Sequence, residues 1–262
     1  MFFRIKKISH ILNIDVIIQA RMDSSRLPGK IMMNLDNNSV LDYVITQLKC
    51  SKMINRIIIA TTHDSVDDVI IKYAQERGLT YFRGDKNDVL DRYYKCAKEF
   101  GCKNIVRITS DCPLIDPKTV DKIIQKFFSL NVDYATNKLP LKFSKCPHGA
   151  EVEIFSFETL KTVWNKSKKR SEREHVTPYI YNNSEKFKIF NLDYDKDLSY
   201  MRYTIDRPKD LELVQKIVTK IKTRPILTEE IVQLFIKEPN LLSINSEYKR
   251  NEGYFKSIKD EE

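Results

Sequence analysis

No apolar run in this 262-residue sequence approaches the roughly eighteen residues that a membrane-spanning helix needs, and there is no low-complexity tract or internal repeat. There is no Cys-x-x-Cys pair either. The five cysteines, Cys50, Cys96, Cys102, Cys112 and Cys146, are scattered and odd in number. That argues against a zinc ribbon and for a reduced, cytoplasmic protein. The start, MFFRIKKISHILNIDVII, interrupts its apolar residues with charges and has no small-residue cleavage site, so no signal peptide is expected. Neither GxxxxGKS/T nor GxGxxG occurs, which disfavours a P-loop ATPase and a dinucleotide-binding Rossmann enzyme. The formal net charge is +9, but no aromatic–basic interleaving or helix-turn-helix pattern accompanies it. The lysines are spread along the chain and read mainly as solvated surface, so neither nucleic acid nor a membrane is expected as a partner.

What is present is an alternation of β-branched apolar runs and helical patterns. Strands are expected at DVIIQA (15–20), NRIIIATT (55–62), LTYFRG (79–84), NIVRITSD (104–111) and VDYATN (132–137). Helices fall between them at 39–49, 66–77, 88–100 and 117–130, with Asp88 as an N-cap and Pro117 in a first turn. This order predicts an α/β fold with a mostly parallel sheet flanked by helices on both faces. The pattern then changes. Strands are expected at 150–157, 186–194 and 200–206, and helices at 158–165, 173–182 (despite Pro178), 208–222 and 227–237. No linker separates two domains. Residues 1–13 read as an extension, 14–222 as one catalytic domain with an excursion at 138–190, and 223–262 as a helical tail.

Open α/β sheets bind ligands beyond the carboxyl ends of their strands. The first strand delivers IIQARMDSSRLPGK (17–30), in which Ser24, Ser25, Gly29 and the cations Arg21, Arg26 and Lys30 suit a polyphosphate. The bland alternative is a basic surface loop. Thr61, Thr62 and His63 follow the second strand, Arg83-Gly84-Asp85 the third and Ser110-Asp111 the fourth, and Asp206 ends the late strand. Two strand-end carboxylates, Asp111 and Asp206, suit Mg2+, a hard ion usually held by one or two carboxylates plus substrate phosphates. Asp116 and Asp206 also stand before prolines, so helix capping is the other reading: preferred for Asp116, compatible with metal binding for Asp206. Glu151 and Glu153 alternate on one strand face, either toward a cleft or toward solvent. His63 and His175 are open between a ligand role and a packing or surface role. Trp164 and Tyr93-Tyr94 read as packing residues, and no neighbouring base argues for Cys112 as a nucleophile.

IIQARMDSSRLPGK resembles the nucleotide-binding signature of the cytidylyltransferases that make CMP-Kdo and CMP-sialic acids. The whole chain is more similar to the spore-coat polysaccharide biosynthesis protein F branch of that family, through ATTHDSVDD, FRGDKNDVLDRYY, VRITSDCPLIDP, HGAEVEIFSFETL, EREHVTPYI, LSYMRYTIDRPKDLEL and the tail KRNEGYFKSI. The resemblance implies a GT-A-like, Rossmann-type fold and commonly a homodimer. The activity it implies is transfer of CMP from CTP to an acidic sugar, with Mg2+ and release of pyrophosphate. By matching positions, Arg21 and Lys30 would hold the triphosphate, beside Gln19, Ala20, Ser24, Ser25 and Arg26. Ala60 and Thr61 would hold the base, with Thr62, Arg83, Gly84 and Asp88 nearby, and Asp111 and Asp206 would hold the metal. His148, Glu151, Glu153 and His175 fall on the acceptor side. Asp23 stands where glycine is usual, Ser110 where Ala or Gly is usual, and His148 where Asp is frequent. Other expectations on the same fold are a nucleotidyltransferase for a phosphonate or phosphorylated polyol, or a nucleotide-sugar glycosyltransferase. The DxD tripeptides such a glycosyltransferase would need occur only at 193–195 and 195–197, between late strands.

Overall fold

A computed structural model describes residues 13–261, so most of the expected 1–13 extension lies outside the described residues. Strand β1 (Ile14–Gln19) is buried at five of its six positions because it is central and covered on both sides. It pairs in parallel with β4 (Arg56–Thr62) and with β6 (Asn104–Thr109). β5 (Thr80–Gly84) adds in parallel to β4. Beyond β6 come β8 (Glu153–Ser156), antiparallel, then β7 (Tyr134–Thr136), antiparallel to β8, and β9 (Ile189–Asn191), parallel to β7. The seven-stranded order is β5-β4-β1-β6-β8-β7-β9, and a small hairpin, β2 (Asn34–Leu35) with β3 (Asn38–Ser39), stands apart. The fold is mixed α/β with a mostly parallel sheet, as the alternation predicts.

Alternate residues of each strand feed two cores. Ile14, Val16, Ile18, Ile59 and Val106 face α1 (Val40–Lys49), α2 (Asp68–Glu76) and α4 (Pro117–Ser129). Ile17, Ile58, Ile105 and Phe155 face α3 (Val89–Glu99) and α5 (Phe157–Lys166). Each such side chain contributes about 1.5–3 kcal/mol by leaving water. A third cluster joins α8 (Pro208–Lys220) and α9 (Thr228–Lys237) to Leu35, Tyr43, Tyr203 and Ile205. α10 (Glu252–Lys259) is the last described helix. Among the described residues no helix is long and apolar enough to cross a membrane.

Three expectations fail locally. The strand expected at 200–206 is a single bridge between His148 and Arg202. Its backbone is satisfied by loops instead: Tyr203 and Thr204 donate to the His148 carbonyl, and Ile205 donates to that of Asp111. The strand expected from residue 150 begins only at Glu153, because side chains replace the ladder before it. The Asn137 amide bonds both Ala150 O and Val152 N, and the Thr136 hydroxyl bonds Val152 O. The helix expected at 173–182 is two short helices, α6 (Arg170–His175) and α7 (Pro178–Asn182), broken at Val176, whose φ is 72°. Gly149 is required by space. A Cβ there would lie 2.5 Å from Thr204 N, so glycine lets the 148–149 turn press against the 203–204 backbone.

Candidate active site

The loop after β1 folds back on itself. Met22 O accepts from Ser24 N and Gly29 N, and Gly29, with φ 71°, starts a short helical turn at Lys30. Asp67, buried at the head of α2, ties this loop to β4: it accepts from Met22 N at 2.7 Å and from the Thr62 hydroxyl at 2.5 Å. Lys30 therefore leaves the loop pointing under it. Its ammonium donates to Asp111 Oδ2 at 2.7 Å and to Asp206 Oδ1 at 2.8 Å. Arg26 Nη2 adds a third contact, 2.6 Å from Asp206 Oδ1. Two carboxylates 95 positions apart in sequence thus converge on one cation at the sheet rim.

Asp206 does not cap α8. Asp210 does that, accepting from Asp206 N and Arg207 N at 3.0 Å each. Arg202, buried, holds both acids: Nη2 lies 3.1 Å from Asp206 Oδ2, and Nε 2.8 Å from Asp210 Oδ1. Burial opposes the charge on Asp206, but Lys30 and Arg26 outweigh it and keep its pKa well below the carboxylate range. Asp111 is also lowered, with Lys30 overcoming burial and the repulsion of Asp206. The Lys30 ammonium is correspondingly raised against its own burial. Cys112 beside them is inert, its thiol pushed well up by burial.

The donor set has the right chemistry for a hard divalent ion: carboxylate oxygens of two residues, with a cation already stabilised between them. Among the described residues no group of three or more His, Cys, Asp or Glu side chains is placed to hold a metal. Phosphate oxygens of a substrate would have to complete the ligand set, which is the usual arrangement for Mg2+.

Next to the two acids opens a cavity of about 210 Å3. Asp111, Asp206 and Arg26 form one wall, and Arg107, Lys138, Glu153, His148 and Glu151 line its depth. The remaining wall is the tail, from Lys249 to Tyr254. Glu153 is buried under a cage of donors: Arg107, Lys138 Nζ at 2.7 Å, Tyr134 OH at 2.6 Å and Thr177 Oγ1 at 2.5 Å. Burial opposes its charge, yet Lys138 and Arg107 lower its pKa to about 2. Arg107 also reaches Gln19 Oε1 at 2.9 Å, which joins the first strand to the cavity floor. Arg250 of the tail binds Glu151 at 2.8 Å, and Glu151 in turn accepts from Gly149 N. His148 Nδ1 sits 2.7 Å from Arg202, and burial lowers its pKa, with Arg202 and Arg250 adding to the effect. His175 meets Ser257 of α10 at 3.0 Å, and burial, then Arg107 and Lys138, bring it to about 3.

The structure brings Arg26, Lys30, Asp111, Asp206, His148, Glu151, Glu153 and His175 around one cleft, with Gln19 tied to its floor. Ala20 N bonds Ala60 O at 3.0 Å, and Arg21, Ser24 and Ser25 lie on the loop above. Three of the remaining expected nucleotide residues have protein partners or structural tasks. Asp88 caps α3 and is gripped by Arg173, Arg83 binds Asp68, and Thr62 binds Asp67. Thr61 is fully buried with its hydroxyl unpartnered. Asp23, the unusual acid in the loop, turns to Lys86 at 2.6 Å. Asp116 caps α4 as expected, and Tyr94 stacks on Trp164 with ring centres 4.2 Å apart. The DxD tripeptides lie at an exposed turn after β9, away from the cavity lining. Arg202, Asp210, Lys138 and Arg107 are absent from the sequence-based site. The signal for Arg107 was there, a lone charge in an apolar central strand; for Lys138 there was none.

A family model described as cytidylyltransferase matches residues 16–247, so Lys249 to Tyr254 lie beyond the match. An uncharacterized protein of Methanocaldococcus jannaschii is 35% identical over 232 residues, covering 88% of this chain and 93% of its own. Spore coat polysaccharide biosynthesis protein SpsF of Bacillus subtilis is 29% identical over 232 residues, covering 86% and 94%. A solved structure of a cytidylyltransferase from Leptospira borgpetersenii serovar Hardjo-bovis aligns with a TM-score of 0.84 at 32% identity, covering 88% of this chain and 97% of that one. With the converging acids and cations of its cleft, the chain belongs to the cytidylyltransferase family and is a nucleotidyltransferase enzyme.

Proposed function

We propose that the protein transfers CMP from CTP to an acidic sugar or a related anionic acceptor, with Mg2+ and release of pyrophosphate, for the synthesis of a cell-surface polysaccharide or glycan. The observation that carries this reading is Lys30, whose ammonium lies 2.7 and 2.8 Å from Asp111 and Asp206 at the mouth of the cavity. The kinship with the spore coat polysaccharide biosynthesis protein supports the polysaccharide context.

The cation loop would take the triphosphate, with Arg21 and Lys30 neutralising the departing pyrophosphate. Asp111 and Asp206 would hold Mg2+, which when bound would neutralise charge on the phosphate oxygens. Arg202 fixes the Asp206 carboxylate from behind, so this oxygen pair is oriented before substrate arrives. An acceptor seated in the cavity would present its oxygen to the α-phosphorus in line with the leaving pyrophosphate. Six Arg and Lys side chains against five Asp and Glu line that cavity, a balance that favours an anionic acceptor once a metal ion is held by Asp111 and Asp206. A cytoplasmic location and a homodimer belong to the same reading; the five free thiols agree with the first, and sedimentation tests the second.

The deciding assay incubates the protein with each nucleoside triphosphate, Mg2+ and a panel of acidic sugars, phosphonates and phosphorylated polyols. Pyrophosphate release is expected only with CTP, an anionic acceptor and metal together, and EDTA abolishes it. Equal turnover with ATP or UTP, or release unaffected by EDTA, refutes the proposal.

A further inference from the structure

Arg92, in the first turn of α3, is 2% exposed. Its Nε and Nη1 are enclosed and have no partner. No acceptor among the described residues takes a hydrogen bond from Nη2 either. Among the described residues the other two buried arginines are both paired, Arg107 with Glu153 and Arg202 with Asp206 and Asp210. A guanidinium taken out of water without a counter-charge is costly, and chains rarely retain one without a use.

Its placement is built. The Arg92 stem crosses the carboxyl end of β5, where a Cβ on Gly84 would come within 2.9 Å of Arg92 Cγ. Gly84 clears room for this arginine. The carboxylates nearest in effect, Asp67 and Asp85, are engaged elsewhere: Asp67 with Met22 N and Thr62, Asp85 with the backbone of Asn87 and Asp88. After burial and the opposing influence of Tyr93, the next influence on its charge is repulsion from Arg21 of the phosphate loop. Arg92 therefore stands at the carboxyl end of β5, against Gly84, and no carboxylate pairs with it.

We infer that Arg92 is a nucleotide-binding residue, its free guanidinium edge donating to an oxygen of the bound nucleoside triphosphate. This deepens the cytidylyltransfer reading and rests on it. The acceptor oxygen belongs either to a phosphate or to the pyrimidine nucleoside, and both have the same hydrogen-bonding chemistry.

The test is calorimetric titration of CTP, and separately of cytidine and of pyrophosphate, into the wild-type full chain, Arg92→Met and Arg92→Lys, all with Mg2+. Each ligand-free protein is also melted. Arg92→Met is expected to weaken CTP binding at least tenfold, while its ligand-free melting temperature equals or exceeds wild type because a buried lone charge is gone. Arg92→Lys keeps the charge, loses the fork and falls between. A loss shared with pyrophosphate places the contact on the phosphates, and one shared with cytidine places it on the nucleoside; either supports the inference. CTP affinity within twofold of wild type in Arg92→Met overturns it. So does a ligand-free Arg92→Met that melts lower or fails to fold, since that reveals a partner inside the protein. A wild-type protein that does not bind CTP removes the cytidylyltransfer reading and this inference with it. Binding by wild type with no change in the variants removes the inference alone.

Discussion

Lys30 Nζ lies 2.8 Å from Asp206 Oδ1, a contact across 176 residues of chain, and the same ammonium donates to Asp111. One side chain from the first loop therefore organises two acids that the sheet delivers separately. In the free protein Lys30 neutralises the pair. In the proposed cycle it shares that charge with a triphosphate.

Asp111→Asn and Asp206→Asn should each lower turnover by about 10²–10³, the loss typical of removing one electrostatic stabiliser. Pyrophosphate release at saturating CTP measures it. Near-normal turnover in both variants would dismiss the metal assignment.

Lys30→Met should destabilise the free protein by about 3–5 kcal/mol at neutral pH, because it leaves two neighbouring carboxylates without their shared cation. The sign with pH follows. Without Lys30 one of the acids must have its pKa raised by the other, so the folded state binds more protons than the unfolded one below neutrality. Chemical denaturation should therefore show the gap to wild type closing as pH falls. A constant gap contradicts the shared-cation account.

Glu153→Gln should cost about 3–5 kcal/mol at pH 7, because Arg107 and Lys138 lose the carboxylate that balances them. The folded pKa of Glu153 is about 2 against an ordinary 4.5. Its contribution is complete above pH 4.5 and is lost as pH falls toward 2. The variant should thus lie below wild type at neutral pH and lose stability less steeply between pH 4.5 and 2. Parallel acid-unfolding curves would rule this out.

His175→Phe addresses a milder range. The imidazole has an ordinary pKa of 6.5 and about 3 when folded, so the unfolded chain takes up a proton that the native site refuses. Wild type loses stability from this group as pH falls from 6.5 toward 3, and above 6.5 the penalty vanishes. The phenylalanine variant should show a shallower decline in melting temperature between pH 6.5 and 4. An unchanged slope would mean that the histidine is solvated.

Arg250→Met should raise the acceptor KM while leaving CTP affinity unchanged, since Arg250 lines the cavity and its hydrogen bonds go to Glu151 and the Cys146 carbonyl, none of them to the loop after β1. A tenfold change is the expected scale, about 1.4 kcal/mol, for the loss of the Arg250 guanidinium from the cavity lining. Loss of CTP binding instead would show that tail and loop form one site.

The sheet was legible because buried parallel strands are continuous apolar runs, and Arg26, Lys30 and Asp111 were legible because they follow such strands; Asp206 was found at the end of an expected strand that is a single bridge. The 200–206 segment misled for a physical reason. Its apolar alternation, Met201, Tyr203 and Ile205, serves packing against α8 and α9, while its backbone bonds loops instead of a neighbouring strand. Arg202 and Asp210 were hidden by their ordinariness, a cation and an acid flanking a helix start. The cavity wall formed by the tail was the least readable part. Arg250 meets Glu151 across 99 residues, and nothing local in KRNEGYFKSI specifies that partner.

The last helix has a practical corollary. Glu261, just past α10, is hydrogen-bonded to the Ser171 hydroxyl at 3.0 Å, and Ser257 one turn earlier holds His175. A purification tag or fusion partner appended after residue 262 would tug on this clasp beside the cavity that His175 lines. Recombinant preparations carrying such an appendage should be compared with tag-free material before any low turnover is attributed to the enzyme itself.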